Sequence, residues 1–386
     1  MIKETIELFY DEAKALRQAI HQEPESAFEE VKTNQKIRAF LDNHQIPYVS
    51  GIAQTGILAT IQGSRPGKTI LLRADMDALP MDENPNNPYA SKIPGRMHAC
   101  GHDGHSAGLC LAGATLNQMR HELKGTIKLL FQPAEEALGG AEPMIKAGVL
   151  EGVDMAFGTH LWGSSPSGKV FLKKGAMMAS PDNFIIKVKG VGGHGSKPHL
   201  AIDPILIASQ IVIALQTVVS RQVSPLEAVV ISVGKMHGGT APNIIPEEVV
   251  LEGTIRTLNN EVRVDVPNKM KKLVMGIVES YGGKAEFIYL PGYPVLVNNV
   301  EVTDIAQRAA SKFLNADQIE FLEYPDMGGE DFAYIAQAVP STFMYVGIME
   351  DKPISHHHPN FHFDDKHLKT LSQLLVQCVL SANETF

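Results

Sequence analysis

The most restrictive feature of this sequence is a strand of the buried type that runs directly into two acidic residues. Residues 125–132 form a nearly continuous apolar run, which is typical of a central strand covered on both faces. After Pro133 and Ala134 the run is followed at once by Glu135 and Glu136. Because open α/β sheets place their chemistry at the carboxyl ends of their strands, these two glutamates are candidate functional residues.

The order of apolar patterns predicts a layered α/β domain. Apolar residues at helical spacing predict helices, and short β-rich runs between turn residues predict strands. The predicted order is helix, helix, strand, strand, helix, strand, helix, strand, with residues 2–20, 29–43, 55–62, 69–74, 106–118, 125–132, a helix ending near 147, and 153–159. The last strand is expected to end at His160. Alternation of this kind favours a sheet with helices on its faces.

The pattern changes near residue 180, where apolar and polar residues begin to alternate. Alternation over residues 183–189 predicts a strand with one exposed face. The segments that follow predict the order β-α-β-β-α-β, a ferredoxin-like arrangement. We therefore expect a small α+β domain at residues 180–292 with an open sheet face. It would be inserted into a mixed-sheet α/β/α domain formed by residues 1–179 and 293–386.

Composition excludes several classes of function. A chain of 386 residues suggests two domains at about 100–200 residues each. A net charge of −9 without a basic block argues against a nucleic-acid partner. The most apolar long stretch, residues 205–219, is interrupted by polar residues, so no membrane span is expected. Three cysteines without a CxxC pair favour a reducing, cytoplasmic location.

A second motif, MHACGHDGH at residues 97–105, concentrates side chains that bind transition metals. Cys100 and His102 are two residues apart, so a bend or a helix start must bring them to one ion. Taken alone, this stretch is also compatible with a polar loop that leads into the next helix. Glu135 and Glu136, His160 and the histidine run at 356–358 follow strands or lie in loops, so all four groups can converge at one sheet edge. One glutamate can then bind metal while its neighbour transfers a proton.

These motifs occur together with QPAEE, GTHLW, GGHGSKPH, APNIIP, GTIRT and GGEDF in a fixed order. The ordered set resembles the M20 metallopeptidase family, and specifically its amidohydrolase branch. That branch includes hippurate hydrolases, N-acyl-amino-acid amidohydrolases and indole-acetyl-amino-acid hydrolases. The resemblance extends from the HQEPE motif at His21 to Phe361, nearly the whole chain. It implies a catalytic domain for two metal ions and an inserted dimerisation or lid domain, in a homodimer or a tetramer.

The resemblance also implies the ligands of the two divalent ions. They are Cys100, His102, Glu136, His160 and His357. Cys100 would bridge the ions as a thiolate, His102 and His160 would complete one ion, and Glu136 and His357 would complete the other. His358 is the alternative to His357. Most of the wider family has a histidine ligand at the position of Asp75 and a bridging aspartate at the position of Cys100, whereas the amidohydrolase branch has these two residues. The metal remains open among Mn, Co, Ni and Zn.

The remaining roles also come from the resemblance. Glu135 would be the general base, and His194 would donate to the oxyanion across the dimer. Asn243 and Arg256 would hold the free carboxylate of the substrate, which a guanidinium can bind through two hydrogen bonds. Asp77 would orient the site from behind the ligands.

We therefore expect a metal-dependent amidohydrolase that cleaves N-acyl-L-amino acids. The alternatives are an N-acetyl-diaminopimelate deacetylase, a dipeptidase-type exopeptidase and, from a different class, a catalytically silent protein that binds amino-acid conjugates. The complete ligand set and Glu135 argue against the silent protein. The motifs leave three points open: the acyl group and amino acid, the role of Asp75, and whether Glu330 and Asp331 line the pocket or only turn the chain.

Overall fold

A computed structural model describes residues 2–137 and 139–385, so the first and last residues of the expected large domain lie outside it. The first part of the chain holds helices α1 (Ile2–Gln22) and α2 (Val31–Asn43), strands β1 (Tyr48–Ile52), β2 (Gly56–Gln62) and β3 (Arg65–Asp75), helix α3 (His102–Gln118), strand β4 (Lys124–Gln132), helix α4 (Ala141–Lys146), and strands β5 (Met155–Pro166) and β6 (Val170–Leu172). The middle holds strands β7 (Gly175–Met178), β8 (Ser180–Lys189) and β9 (Gly193–His194), helix α5 (Pro204–Thr217), strands β10 (Val229–Gly238), β11 (Ile244–Ile245) and β12 (Glu248–Thr257), helix α6 (Asn260–Ser280) and strand β13 (Lys284–Leu290). The last part holds strand β14 (Leu296–Asn298), helix α7 (Val300–Ala310), strand β15 (Ile319–Phe321), helix α8 (Phe332–Ala338), strand β16 (Ser341–Met349) and helix α9 (His367–Thr385).

The chain divides into two compact units. The small unit comprises Ala176–Leu296 and Pro325–Glu330, and the large unit comprises the other described residues. Residues 325–330 were expected in the large domain but belong to the small unit, as do a few residues at the predicted boundaries.

The large unit is built on one eight-stranded mixed sheet with the order β1-β2-β4-β3-β5-β16-β6-β15. The central strands β4, β3, β5 and β16 are parallel to their neighbours in this group. Eight successive residues of β16 are buried, which requires cover on both faces of the sheet. Helix α3 is buried along most of its length and packs between α1 and α9. The predicted α/β class is confirmed.

One strand is longer than the sequence pattern predicts. Strand β5 was expected to end at His160, but it continues to Pro166, because β16 pairs with it throughout. Arg73 of β3 pairs with Gly158 of β5. Two residues further along each strand, Asp75 and His160 therefore lie at the same level of the sheet. His160 thus projects from within a strand, while Asp75 ends one.

The small unit has a four-stranded antiparallel sheet with the order β10-β12-β8-β13. With α5 and α6 the chain order is β-α-β-β-α-β, and this strand order is ferredoxin-like, which confirms the predicted topology. Alternate residues of β8, among them Phe184, Ile186 and Val188, are buried against the helices. The opposite face of the sheet carries the intervening residues.

The helical stretch Pro204–Gln222 differs from the sequence expectation. By length and composition it is apolar enough to cross a membrane, although the sequence analysis placed it below that threshold. A third of its most apolar window is buried, and Ile207, Ile211 and Leu215 belong to the core of the small unit. Core helices of water-soluble proteins commonly have this composition.

Candidate metal centre

Cys100 and His102 are brought together by the start of helix α3. Gly101, between them, has φ +95°, a left-handed conformation that glycine adopts at little cost. His102 is then the first helical residue, and Cys100 lies just before it. The helix start therefore turns thiol and imidazole toward the same region, as the spacing required.

His102 presents one free nitrogen to the site. Its Nδ1 lies 3.2 Å from Oδ1 of Asp77, so this nitrogen carries the proton. Its Nε2 is buried and has no hydrogen-bond partner among the described residues. The nearest acceptors are Oδ2 of Asp75 at 3.8 Å and Oε1 of Glu136 at 3.7 Å. A buried imidazole nitrogen among carboxylates favours a positive charge, which a proton supplies when no metal is bound and which a metal ion would supply by binding the nitrogen's lone pair.

The two glutamates after β4 lie in a tightly held turn. The amide nitrogens of Glu135 and Glu136 each donate to Asp77, at 3.0 Å to Oδ1 and 3.0 Å to Oδ2. Ala134, just before them, has φ +57°, and its amide donates to Glu30 at 3.0 Å. A non-glycine residue in this conformation is held there by its surroundings, which is common at functional sites. Asp77 thus places both glutamates and His102 at once.

His160 lies beside the thiol. Its Nδ1 donates to the carbonyl of Leu161 at 2.9 Å, so its Nε2 keeps the lone pair, and this Nε2 is 3.4 Å from Sγ of Cys100. His105 is close by but differs in kind. Its Nε2 accepts the amide proton of Leu161 at 2.9 Å, and its Nδ1 donates to Asp75 at 2.6 Å. Both nitrogens of His105 are occupied, so it supports the site and leaves metal binding to its neighbours.

The open questions about Asp75 and Asp331 have a structural answer within the large unit. Arg73, fully buried, donates to Oδ2 of Asp75 at 2.7 Å and to Oδ1 of Asp331 at 2.7 Å. Asp331 also accepts from Gln132 at 2.8 Å and from the amide of Ala141 at 2.9 Å. Asp331 therefore anchors the base of the site. Glu330 belongs to the small unit.

The histidine run contributes two residues to this region. His357, the predicted ligand, has Nε2 3.2 Å from Oε1 of Glu136. Its backbone is left-handed at φ +56°, and its amide donates to Ala99 at 2.9 Å. His356, which the sequence analysis left without a role, has Nδ1 3.8 Å from Sγ of Cys100. The alternative, His358, is exposed and accepts the amide proton of Asn360 at 3.1 Å.

Burial lowers the pKa of the His102 imidazole and raises that of the Cys100 thiol, whereas the neighbouring carboxylates raise the pKa of both. Burial lowers the pKa of His102, but the Asp75 and Asp77 carboxylates outweigh it and raise the pKa to about 10. Burial, followed by the charges of Glu136 and Glu135, raises the pKa of the Cys100 thiol well above its usual value. Without a cation the thiol thus keeps its proton, whereas a bound metal ion would replace that proton.

The donors fit a divalent metal centre. Three groups of side chains in the large unit place their donor atoms within 4.8 Å of one another: Cys100 with His160 and His356, Cys100 with His102 and Glu136, and His102 with His105 and His160. Tetrahedral ligands at ordinary zinc distances are separated by about 3.4–3.8 Å, close to the Cys100–His160 and His102–Glu136 separations. One of the donors, Nε2 of His102, is buried without a hydrogen-bond partner among the described residues.

The other predicted site residues belong to the small unit. His194 on β9 pairs in register with Ile244 of β11, which follows Asn243 directly. Nδ1 of His194 accepts the amide proton of Ser196 at 3.1 Å, so a neutral His194 carries its proton on the exposed Nε2. The side chain of Arg256, on the open face of the sheet, is half-buried and makes no hydrogen bond or ion pair with any described residue.

Several residues that support the site were not predicted from the sequence. The most prominent are Glu30, Arg73 and His356. Arg73 could have been suspected, since a charged residue inside a buried-type strand is unusual. Glu30 has no such signal, because it lies in an ordinary loop before α2 and reaches Ala134 only through the fold.

Taken together, the mixed α/β sheet and the cysteine, histidine and glutamate donors beside a buried carboxylate define the class of metal-dependent hydrolases. Residues 71–381 match the model of peptidase family M20/M25/M40. The chain belongs to this family, which confirms the prediction from the motifs.

Relatives and a solved structure agree with this assignment. The chain is 41% identical over 371 residues to an N-acetylcysteine deacetylase of Bacillus subtilis, covering 96% of each chain. It is 45% identical over 303 residues to an N-acyl-L-amino acid amidohydrolase of Geobacillus stearothermophilus, covering 77% of this chain and 82% of the relative. The crystal structure of YxeP from Bacillus subtilis, a dinuclear metal binding peptidase of the M20 family, superposes with a TM-score of 0.86 at 37% identity, covering 98% of this chain and 100% of that one.

Proposed function

We propose that this protein hydrolyses the amide bond of N-acyl-L-amino acids to give a carboxylic acid and a free amino acid. One observation carries the proposal: Asp77 holds His102 and the Glu135–Glu136 turn together. Metal-binding donors and a candidate general base are therefore parts of one rigid unit. The relatives that cleave N-acetylcysteine and N-acyl-L-amino acids support the substrate class.

The ligands follow from the donor set. Cys100, His102, Glu136, His160 and His357 would hold two divalent ions, with Cys100 shared between them. When bound, these ions would acidify a water molecule and polarise the amide carbonyl. The dinuclear relative supports the number of ions. A thiolate among imidazoles and carboxylates suits Mn, Co, Ni or Zn.

Glu135 would move the proton. Its backbone is anchored on Asp77, and its side chain is 7% exposed, so the carboxylate is held in a mostly dry environment. In this role it takes a proton from the attacking water and delivers it to the departing amine nitrogen. Across the dimer proposed below, Nε2–H of His194 would donate to the oxyanion that develops on the former carbonyl oxygen.

Arg256 and Asn243 would bind the free carboxylate of the substrate. Burial lowers the pKa of Arg256, only partly opposed by Asp182. That aspartate is already engaged by Arg263, at 2.9 Å to Nε and 2.8 Å to Nη2. A half-buried guanidinium whose nearest acid is taken is suited to an anionic ligand.

We also propose a cytoplasmic homodimer that forms through the small unit. Helix α5 exposes Leu206 by 48% and Ile213 by 65%, and β10 is an edge strand of its sheet. Exposed apolar side chains beside an unpaired edge are features of protein interfaces. The three free cysteines are compatible with a reducing compartment. Light scattering of wild type and Ile213→Glu should show a dimer and a monomer, while Leu8→Glu, exposed by 70% in the large unit, should remain dimeric.

The activity is tested with a panel of N-acetyl-, N-benzoyl- and N-indoleacetyl-amino acids, N-acetyl-diaminopimelate and dipeptides. Each is assayed after removal of metal and reloading with Mn, Co, Ni or Zn. We expect turnover of N-acyl-L-amino acids in at least one metal form and none after chelation. Full activity in the chelated protein would refute the proposal. Preferred cleavage of dipeptides would favour the exopeptidase alternative, and binding without turnover in every metal form would favour the silent conjugate-binding protein.

A further inference from the structure

Two imidazoles flank the same sulfur atom, and their other nitrogens have opposite backbone partners. Cys100 Sγ is 3.4 Å from Nε2 of His160 and 3.8 Å from Nδ1 of His356. The remaining nitrogen of His160 faces the carbonyl of Leu161, and the remaining nitrogen of His356 faces the amide of Gly163. Both backbone groups belong to strand β5.

These partners determine where each ring carries its proton. A carbonyl can only accept, so Nδ1 of His160 is protonated and its Nε2 has the lone pair directed at the sulfur. A backbone amide can only donate, so Nε2 of His356 accepts the Gly163 proton at 2.9 Å and carries none. The ring proton of His356 must then lie on Nδ1, the atom that faces Cys100. His160 therefore offers a lone pair, and His356 offers an N–H.

The ring of His356 is held in this orientation by its packing. Its centroid lies 5.0 Å from Trp162 and 5.0 Å from Phe361. The Gly163 amide also fixes the rotation of the ring about its bond to Cβ, because a ring flipped by half a turn would lose that hydrogen bond. To bind a metal ion through Nδ1, the ring would have to lose its only proton, which is far more costly than for a neutral imidazole with a free lone pair.

From these contacts we propose that His356 is a positioning residue that donates its Nδ1–H to the sulfur of Cys100, and that it is not a metal ligand. This inference rests on the proposed function, in which Cys100 binds metal as a thiolate. A hydrogen bond to a ligand sulfur draws electron density from it, which tunes the metal–sulfur bond and orients the ligand. The four histidines near Glu136 and Cys100 then divide into three ligands, His102, His160 and His357, and one hydrogen-bond donor, His356.

Two substitutions separate the two nitrogens of His356. Asparagine places an amide near the position of Nδ1, so His356→Asn keeps a donor toward Cys100 but loses the acceptor for Gly163. Glutamine places its amide near the position of Nε2, so His356→Gln keeps the Gly163 contact but loses the donor. His160→Asn serves as the reference for the loss of a ligand.

The cobalt-loaded proteins are compared by the number of ions bound per chain and by the sulfur-to-cobalt charge-transfer band. We expect His356→Asn to match wild type in both. His356→Gln should bind the same number of ions with its band at longer wavelength, and His160→Asn should lose bound cobalt. Loss of cobalt from both His356 variants to the extent seen in His160→Asn would overturn the proposal, as would an unchanged band in His356→Gln. A wild-type protein without a sulfur band would instead refute the thiolate ligand in the proposed function.

A second measurement does not depend on the variants folding. Long-range 1H–15N correlations of zinc-loaded wild type, labelled at histidine, report which ring nitrogen carries the proton. The proposal expects two rings near the site, His105 and His356, with a protonated Nδ1 and an Nε2 that is hydrogen-bonded and not metal-bound. A spectrum in which His105 alone shows this pattern, and every other histidine near the site is metal-bound or protonated on Nε2, would overturn it.

Discussion

Oδ1 of Asp77 lies 3.0 Å from the amide nitrogen of Glu135, and the same oxygen lies 3.2 Å from Nδ1 of His102. Its other oxygen accepts from the amide of Glu136 at 3.0 Å. One buried carboxylate therefore accepts from three donors that belong to two different segments of the site. Asp77 orients a predicted ligand and the predicted base together, which makes it the most informative supporting residue.

Replacing Asp77 with asparagine should weaken metal binding by about 10–100-fold, the usual cost of losing such a supporting carboxylate. The new amide group would direct N–H bonds at one of the three donors, so a hydrogen bond becomes a repulsive contact. Competition with a chelator measures the affinity. Asp317→Asn, at an exposed position, is the matched control and should bind metal as wild type does. Wild-type affinity in Asp77→Asn would contradict this role.

Glu135→Gln should lower kcat by roughly 10²–10⁴-fold while leaving the bound metal unchanged, because glutamine keeps the shape but cannot accept the proton of water. The backbone amide of residue 135 still donates to Asp77, so the turn that holds both glutamate positions should persist. Steady-state kinetics and elemental analysis of the same samples test both parts. A variant that hydrolyses N-acetyl-amino acids at the wild-type rate would exclude Glu135 as the base.

His21, from the HQEPE motif, should make stability depend on pH. It bridges two carboxylates, with Nδ1 2.9 Å from Asp103 and Nε2 3.0 Å from Glu83. Burial lowers its pKa, but the carboxylates outweigh burial and raise the pKa to about 9 from 6.5. Because the folded-state pKa is the higher one, the stabilisation is complete below pH 6.5 and is lost as pH rises through 9.

The contribution of His21 is on the order of 3 kcal/mol at pH 6, from a shift of this size. Thermal unfolding of wild type and His21→Gln between pH 6 and pH 10 should therefore show a gap in Tm that narrows toward the alkaline end. A surface histidine variant, His121→Gln, controls for general effects of pH. A gap that stays constant across this range would show that His21 is not charged in the folded protein.

Arg256→Lys should raise KM for N-acetyl-amino acids by roughly 10–100-fold, the range expected for losing a charge-assisted hydrogen bond. Lysine keeps the positive charge but lacks the planar pair of donors that matches a carboxylate. The decisive comparison is between the KM for a substrate and the KM for its carboxamide, which lacks the free carboxylate. Wild type should prefer the carboxylate strongly, and the variant should prefer it only weakly. Arg221→Lys, at an exposed position of the small unit, should leave this discrimination unchanged. Equal discrimination in Arg256→Lys and wild type would assign the carboxylate to another group.

Much of the architecture could be predicted because the local pattern of apolar and polar residues shows which faces of a helix or strand are buried. The apolar run at 125–132 predicted a central strand, and strand β4 is Lys124–Gln132. The alternation after residue 180 predicted an open sheet, and the small unit has one. The short strands β6, β9, β11 and β15 were missed, because segments of two or three residues have too little periodicity to be detected.

Several candidate metal-binding residues were predictable because their chemistry is rare outside such sites. Cysteine, histidine and paired glutamates in MHACGHDGH and QPAEE indicate metal binding whatever the fold is. The partners of these residues were not predictable. Glu30 lies over a hundred positions from Ala134, and Asp331 lies over two hundred from Arg73, so only the folded chain shows that they touch.

The sequence by itself determined the α/β class, the order of the longer helices and strands, the family and the set of candidate metal-binding residues. The tertiary structure decided how each histidine is used. His105 has both nitrogens occupied, His160 offers a lone pair, and His356 offers a proton, although all three are the same residue type. The physical reason is that an imidazole takes its role from the group on its other nitrogen, and for His160 and His356 that group is a carbonyl or an amide supplied by strand β5.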